Sequence, residues 1–240
     1  LERACALGHE LGNHSQHHRY DLRARSRRVI EQDIAHGEEA IEGIQGSRPS
    51  GFRTPGYNID NTLFSVLASR GYLYDSSVLP CPPYYVAKGA VMAWKSMRGA
   101  PSRSRMALPE TLLAPITPYR AHADRFWRAR PTGMIEVPMC MVPGVRVPVI
   151  GTSLHLFGAR GFSALMPLLR KTYARLFQLE FHAIDFVDDT DFGISDLCLV
   201  QPDVRIPWAD KRALYEHVLH TLRRTYTFAP LRDAVRTCFM

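Results

Sequence analysis

The amino-acid sequence predicts a mixed α/β fold in which helices alternate with short strands of a parallel sheet. Apolar residues recur at helical spacing in several long segments, and short apolar runs typical of strands stand between them. Helices of this length between strands are typical of parallel α/β arrangements. The 240 residues, of which 46% are hydrophobic, are ordinary globular material, and we predict one domain spanning residues 1–240.

The first half of the chain contains two predicted helices. One runs from Asp21, which suits an N-cap, to Gly46, which suits a helix end. Its apolar positions at helical spacing are Val29, Ile30, Ile34, Ala40, Ile41 and Ile44. The other helix begins at Asp60 or Asn61 and leads to a strand candidate at 72–78, against which it is expected to pack.

The second half of the chain is less regular at its start. Residues 81–130 are rich in proline, arginine and alanine, and we predict a long irregular excursion with a substrate-facing loop there. Beyond it the pattern predicts a strand at 133–139, a helix at 161–177, a strand at 177–187, a helix at 208–226, and a final strand and helix within 227–236.

The composition limits the classes of function. The net charge is +7, but the arginines are spread along the chain and no zinc-finger, RNP or KH signature accompanies them, so no nucleic-acid partner is expected. We predict a solvated basic face, with attraction to an anionic membrane surface or glycan as the alternative. Five scattered cysteines disfavour a disulfide framework and a cysteine zinc site. No apolar run is long enough to span a bilayer, which predicts a soluble chain of the cytoplasm or the cell envelope.

A histidine cluster is the first candidate for chemistry. The segment GHELGNHSQHH places His14, His17 and His18 within five positions. If the segment turns helically after Asn13, the i, i+4 pair His14 and His18 can point at one ion, while His17 points elsewhere. A surface cluster without metal is the alternative. Zinc hydrolases normally use three protein ligands, so two histidines would not complete a site.

Three motifs in order carry a resemblance to a known family. GHELGNHSQHH is followed, after one long helix, by GFRTPGYN and later by LEFHAID. This arrangement resembles the polysaccharide deacetylases, the NodB-homology domains of carbohydrate esterase family four. The resemblance implies a distorted parallel (β/α) barrel with fewer than eight strands. It also implies a divalent metal, most simply zinc, and hydrolysis of an N-acetyl or N-formyl group on a sugar, a glycan or a lipid-linked sugar.

The resemblance also implies roles for individual residues. His14 and His18 match the two histidine metal ligands of the family's H-[ST]-x-x-H pattern. Arg53, in an R-x-P motif, corresponds to the arginine that orients the catalytic base. We expect these three side chains to share one pocket with His182.

The general acid and the substrate contacts come from the remaining motifs. His182, in LEFHAID, corresponds to the family's late histidine, which protonates the leaving amine; a core histidine is the alternative. His155 is the rival acid, ranked second because its neighbours suggest a glycine-rich loop. Gly56 and Tyr57 are predicted to contact substrate, with a backbone N–H there stabilising the oxyanion.

Departures from the family pattern limit these expectations. The family begins with a strand ending in T-F-D-D, which supplies the base and the third ligand, and nothing before Gly8 matches it. We therefore expect a chain that lacks the first strand or two of the barrel, with an incomplete metal site and little turnover. The alternatives are an inactive carbohydrate-binding remnant of the same fold and an unrelated basic module for nucleic acid or anionic lipid. Asp75 is expected to be a structural cap.

Overall fold

The computed structural model describes residues 1–99, 105–191, 193 and 201–240. These residues form two compact units. The first unit comprises Leu1–Met139 and Ala229–Met240, and the second comprises Cys140–Phe228. The single domain expected from the sequence stays a prediction.

Seven α-helices and four strands are present in the described part of the chain. The helices are α1 (Glu2–Ala6), α2 (Arg27–Gln45), α3 (Asn61–Ser69), α4 (Pro82–Met97), α5 (Gly151–Thr172), α6 (Trp208–Arg223) and α7 (Leu231–Phe239). The strands are β1 (Gly51–Phe52), β2 (Tyr74–Asp75), β3 (Tyr119–Ala121) and β4 (Met134–Glu136). No helix of these residues is long and apolar enough to cross a bilayer.

The four strands form one sheet in the first unit, in the order β1-β2-β4-β3. The β1–β2 and β2–β4 pairs are parallel, and β3 is antiparallel to β4. At the β1 edge of the sheet, Asn13 pairs with Phe52 through an isolated parallel bridge. The prediction of a mixed α/β fold with a largely parallel sheet is confirmed. The pairings of these four strands do not show the predicted barrel.

Both helices predicted in the first half are present, but the predicted start of the first at Asp21 is wrong: Asp21 precedes a short 3₁₀ turn at Leu22–Ala24, and α2 begins at Arg27. Ser26 precedes α2, and Gly46 ends it in the left-handed region with φ of 73°. The Asp60 carboxylate accepts a hydrogen bond from the Leu63 amide at 2.8 Å and so caps α3. Both helices pack on the sheet through a core that includes Ile30, Ile34, Phe52, Ile59, Leu63, Phe64, Val66 and Leu67.

The prediction of an irregular segment at 81–130 is wrong in part, because α4 and β3 lie within it. Two prolines stand at the first two positions of α4, where no intrahelical N–H bond is lost and the fixed φ favours a helix start. The Cys81 Sγ accepts a hydrogen bond from the Tyr84 amide at 3.3 Å and completes the cap. The prolines therefore begin a helix rather than mark a loop.

The second unit packs α5 against α6 around a core that includes Val149, Leu154, Phe162, Leu169, Tyr215, Val218 and Leu222. The predicted helix at 161–177 begins earlier, at Gly151, and bends at Gly158. The predicted strand at 177–187 is wrong: one bridge joins Glu180 to Ile150, and a 3₁₀ turn follows at Ala183–Phe186. Residues 227–230 are not a strand either, although the helix expected after them is present as α7.

Candidate active site

Asn13 anchors the histidine segment to the first unit. Its backbone pairs with β1, through bonds from its N–H to the Gly51 carbonyl and from the Arg53 N–H to its own carbonyl. Its buried side-chain amide donates to the Ile34 carbonyl at 3.0 Å and to the Tyr72 hydroxyl at 2.8 Å. The amide oxygen accepts from the Ser15 N–H at 2.9 Å. One side chain therefore fixes where the histidine loop leaves the sheet.

We expect Asn13→Ala to lower the free energy of unfolding by about 1–3 kcal/mol, since it leaves buried polar partners without their hydrogen bonds. Urea unfolding of the two proteins measures the difference. Gln45→Ala is a suitable control because the Gln45 amide is exposed and bonds only to the nearby Ser47 carbonyl. Equal stability of the wild type and Asn13→Ala would contradict the anchoring role.

His14 and His18 lie side by side, as their spacing predicts. Their ring centroids are 4.9 Å apart, with an angle of 69° between the ring planes. The turn that joins them is not helical, because Ser15 and His18 have φ of 65° and 50°, in the left-handed region. The Ser15 hydroxyl accepts a hydrogen bond from the His18 amide at 3.1 Å and closes this turn. The predicted convergence is present, but it arises from a different backbone.

The His14 ring is oriented by a main-chain contact. Its Nδ1 lies 2.7 Å from the Arg53 carbonyl oxygen. A carbonyl oxygen only accepts hydrogen bonds, so Nδ1 carries the proton and the ring lone pair is on Nε2. Metal-binding histidines typically have such a carbonyl partner on the other ring nitrogen.

His17 is held apart from this pair. Its Nδ1 lies 2.7 Å from the carboxylate of Asp33, a buried residue of α2. The other carboxylate oxygen of Asp33 accepts a hydrogen bond from the Gln16 amide at 3.0 Å. His17 therefore fastens the loop to α2, which makes it a natural comparison for the other two histidines.

The histidine pair fits two ligand positions of a metal ion. Two imidazoles bound to one tetrahedral zinc ion, through nitrogens about 2.0–2.1 Å from it, place their ring centroids about 5 Å apart. The separation of His14 and His18 agrees with this. Among residues 1–99, 105–191, 193 and 201–240, no group of three or more His, Cys, Asp or Glu side chains is arranged to hold a metal. The described residues thus supply two donors, not a full set.

Arg53 connects the histidine loop to the end of β2. Its carbonyl oxygen binds His14, while its guanidinium Nε donates to the Ser76 carbonyl at 3.0 Å and a terminal nitrogen donates to the Ser76 hydroxyl at 3.1 Å. The Ser76 hydroxyl in turn donates to the Val137 carbonyl at 2.7 Å. The guanidinium is therefore held at the carboxyl ends of β2 and β4, where parallel sheets commonly place functional groups.

Gly56 and Tyr57 form a strained turn beside the histidines. Both have positive φ, 65° and 60°. A Cβ on Gly56 would lie 2.7 Å from the Tyr20 ring, and that ring packs edge-on against His18 at a centroid distance of 5.4 Å. Tyr20, which the motifs do not single out, therefore links the turn to the histidine pair.

A small open cleft borders this turn. Its walls come from the turn, from the chain after β2 and from α4, and its lining residues are Gly56, Tyr57, Leu79, Cys81, Tyr84, Tyr85, Lys88, Met106 and Ala107. Burial lowers the pKa of Lys88. The lining is mainly aromatic and apolar, with Lys88 as its one cation.

A pair of buried acids lies beneath Arg53. Asp75 and Glu136 are register partners on β2 and β4, both fully buried, and their carboxyl groups hydrogen-bond to each other. Such a bond needs a proton on one of them. Burial raises the pKa of both groups, and the neighbouring Asp75 charge raises that of Glu136 further, well above its usual range.

The acid pair also supports the loops around Arg53. The Asp75 carboxyl accepts a hydrogen bond from the Ser77 hydroxyl at 2.6 Å, and Ser77 accepts one from the Thr54 amide at 2.9 Å. Glu136 accepts one from the Val78 amide at 3.0 Å. Asp75 is therefore structural, as expected, but as half of a proton-sharing pair rather than as a simple cap.

His182 and His155 both lie in the second unit, in surroundings opposite to those predicted. His182 is exposed and directly precedes the 3₁₀ turn, where its amide donates to the Asp185 carboxylate at 2.7 Å. His155 is on α5, and its Nε2 lies 3.1 Å from the Tyr215 hydroxyl. Burial, and then the charge of Lys211, lower the pKa of His155.

Comparison with known proteins supports the family resemblance. Residues 1–74, which contain His14, His18 and Arg53, match the family model described as polysaccharide deacetylase. The resemblance to the polysaccharide deacetylases is confirmed over this segment. A search of curated proteins finds no match.

The fold resembles that of a crystal structure from Mycobacterium smegmatis assigned as a polysaccharide deacetylase, with a TM-score of 0.53 and 16% sequence identity. The match covers 99% of this chain and 65% of the other, so the chain spans about two thirds of that protein's length. At this identity the likeness supports the deacetylase fold alone. His182 lies outside the segment matched by the polysaccharide deacetylase family, and its role remains a prediction.

Proposed function

We propose that this chain is the catalytic domain of a metal-dependent hydrolase that removes an N-acetyl or N-formyl group from a sugar, a glycan or a lipid-linked sugar. The observation that carries the proposal is the His14–His18 pair, at a spacing that fits one ion and with His14 oriented by the Arg53 carbonyl. The family match over residues 1–74 supports it, since polysaccharide deacetylases are generally metal-dependent. The distorted (β/α) barrel of that family is part of the proposal.

The residues of this chain have distinct parts in such a reaction. A divalent ion, when bound, supplies an acidified water and polarises the acyl carbonyl. His14 and His18 would hold it through their ring nitrogens. Arg53, fixed by Ser76, would orient the carboxylate that takes the proton of the water; that carboxylate and the third ligand are not within the described donor set.

The remaining residues act on the substrate. The Gly56–Tyr57 turn would hold the sugar and present a backbone N–H to the developing oxyanion, since donors placed where charge develops stabilise the transition state. His182 would donate the proton that the departing amine needs. The aromatic residues of the cleft would pack against the sugar ring.

The proposal is tested first by metal binding. We expect the 240-residue chain to bind Zn²⁺ weakly in calorimetric titration, and expect His14→Ala and His18→Ala each to lower that affinity by about tenfold to a hundredfold. His17→Asn is the matched control, because it removes the imidazole but keeps a side-chain N–H for Asp33 and so preserves the attachment of the loop. If His17→Asn is as damaging as His14→Ala, the two-ligand assignment is wrong.

Turnover gives the second measurement. With two metal donors among its described residues, the 240-residue chain is expected to release little or no acetate from an N-acetylated sugar. Clear zinc-dependent release would show that the ligand set is complete. The second candidate function is an inactive carbohydrate-binding domain of the same fold, and the presence of only two donors among the described residues favours it. That function predicts sugar binding without turnover.

A further inference from the structure

Helix α4 presents an apolar stripe to solvent. None of its residues is buried, although α4 is a 16-residue helix. Its outer face carries apolar side chains at helical spacing, and three of them stand out by exposure: Val86 at 69%, Trp94 at 48% and Met97 at 80%. The stripe consists of Pro83, Val86, Ala87, Ala90, Trp94 and Met97. A helix normally turns such a stripe toward a core.

The sequence around this stripe carries charges of one sign. No aspartate or glutamate occurs between Asp75 and Glu110, while the described residues of that stretch include Lys88, Lys95, Arg98 and Arg105. The Arg98 guanidinium lies 4.1 Å from the centre of the Trp94 ring, so a cation and an aromatic ring share the exposed face. Lys88 lies on the inner side, within 5.7 Å of the Tyr84 ring centre, and faces the cleft.

We propose that α4 is an interfacial helix that lies on an anionic membrane, with the stripe from Pro83 to Met97 inserted among the lipids. Helices that lie on membranes combine an apolar face, aromatic residues and flanking lysines or arginines that meet anionic headgroups. A second copy of this chain is a poorer occupant. A symmetric contact through α4 would set this basic surface against itself. The proposal stands independently of the deacetylase assignment.

The experiment compares two kinds of vesicle, phosphatidylcholine alone and an equal mixture of phosphatidylcholine and phosphatidylglycerol. In low salt, we expect the partition coefficient of the full chain, measured by co-sedimentation, to be at least about tenfold higher for the mixed vesicles than for the neutral ones. Val86→Asp combined with Met97→Asp is expected to reduce this binding about tenfold or more. Both side chains are exposed, so the fold should be retained, which circular dichroism checks.

A matched control and a direct probe complete the test. Val145→Asp combined with Leu156→Asp adds the same two charges at exposed apolar residues outside α4, at 60% and 79% exposure, and is expected to bind vesicles like the wild type. In a Trp127→Phe, Trp208→Phe background, the fluorescence of Trp94 should shift to shorter wavelength with the mixed vesicles. The proposal is overturned if the wild type fails to bind, if the Val145→Asp, Leu156→Asp variant loses as much binding as the α4 variant, or if α4 proves to mediate self-association without vesicle binding.

Discussion

Replacing His182 by alanine is expected to lower kcat by about 10²–10⁴-fold in a form of the protein that deacetylates a sugar. The tetrahedral intermediate cannot expel an unprotonated amide anion, so the departing nitrogen needs a proton donor. An imidazole, whose ordinary pKa is closest to neutrality, suits that task. Because His182 is not among the expected metal ligands, bound metal should stay unchanged. The measurements are turnover and metal content of the same preparation.

His155→Ala is the comparison that decides the assignment. The structure removes the earlier reason for ranking His155 second, since it lies on α5 and contacts Tyr215, whereas His182 is exposed ahead of a turn. A different reason replaces it. Burial and the Lys211 charge lower the pKa of His155. At neutral pH a smaller fraction of these rings therefore carries the proton that a general acid must donate. We expect His155→Ala to affect turnover little; a crippled His155→Ala beside a nearly silent His182→Ala would reverse the roles.

The helices that the sequence predicts best are those with both periodicity and end signals. For α2 and α3, apolar positions repeat at helical spacing, and Gly46 and Asp60 mark an end and a start. The His14–His18 pairing was predictable from spacing alone, although a left-handed turn rather than a helical one achieves it. Local chemistry sets these features, so a local pattern suffices to find them.

Features that depend on distant contacts could not be predicted in this way. The strand expected at 177–187 is replaced by a turn, because the Asp185 carboxylate bonds to the His182 amide and packs so closely on Gly151 that a Cβ there would lie 2.2 Å away. The pairing of Asp75 with Glu136 follows from the register of β2 on β4. Neither contact leaves a signal in the neighbouring residues.

The Asp75–Glu136 pair leads to the largest expected effect on stability. Glu136→Ala leaves two buried groups, the Asp75 carboxyl and the Val78 amide, without a hydrogen-bond partner. Since each such loss costs about 1–3 kcal/mol, the free energy of unfolding should fall by about 2–6 kcal/mol. Glu136→Gln keeps an oxygen for Val78 and an N–H for Asp75, so it should cost much less. Chemical denaturation at neutral pH measures both variants. Equal losses would contradict this account, because glutamine keeps the volume and the two hydrogen bonds that alanine removes.

The shared proton also sets how stability depends on pH. In the unfolded chain the pKa of Glu136 is near its ordinary value of 4.5. In the folded state the pKa is well above that value, so Glu136 keeps its proton to higher pH. The stabilisation is therefore complete below the pKa of the unfolded chain and declines as pH rises, by up to about 1.4 kcal/mol per pH unit for one proton. The Asp75→Asn, Glu136→Gln double variant has no such proton, and its free energy of unfolding should fall less steeply with rising pH.

Glu38 provides a control of opposite sign. Burial raises the pKa of Glu38, but hydrogen bonds from Arg70 and Arg48 outweigh that effect and hold it below the usual range. Its stabilisation is present at neutral pH and is lost as pH falls, so Glu38→Gln should flatten the acid side of the stability curve and leave the alkaline side unchanged. If the free energy of unfolding of the Asp75→Asn, Glu136→Gln variant falls with rising pH as steeply as that of the wild type, the buried pair does not hold the proton assigned to it.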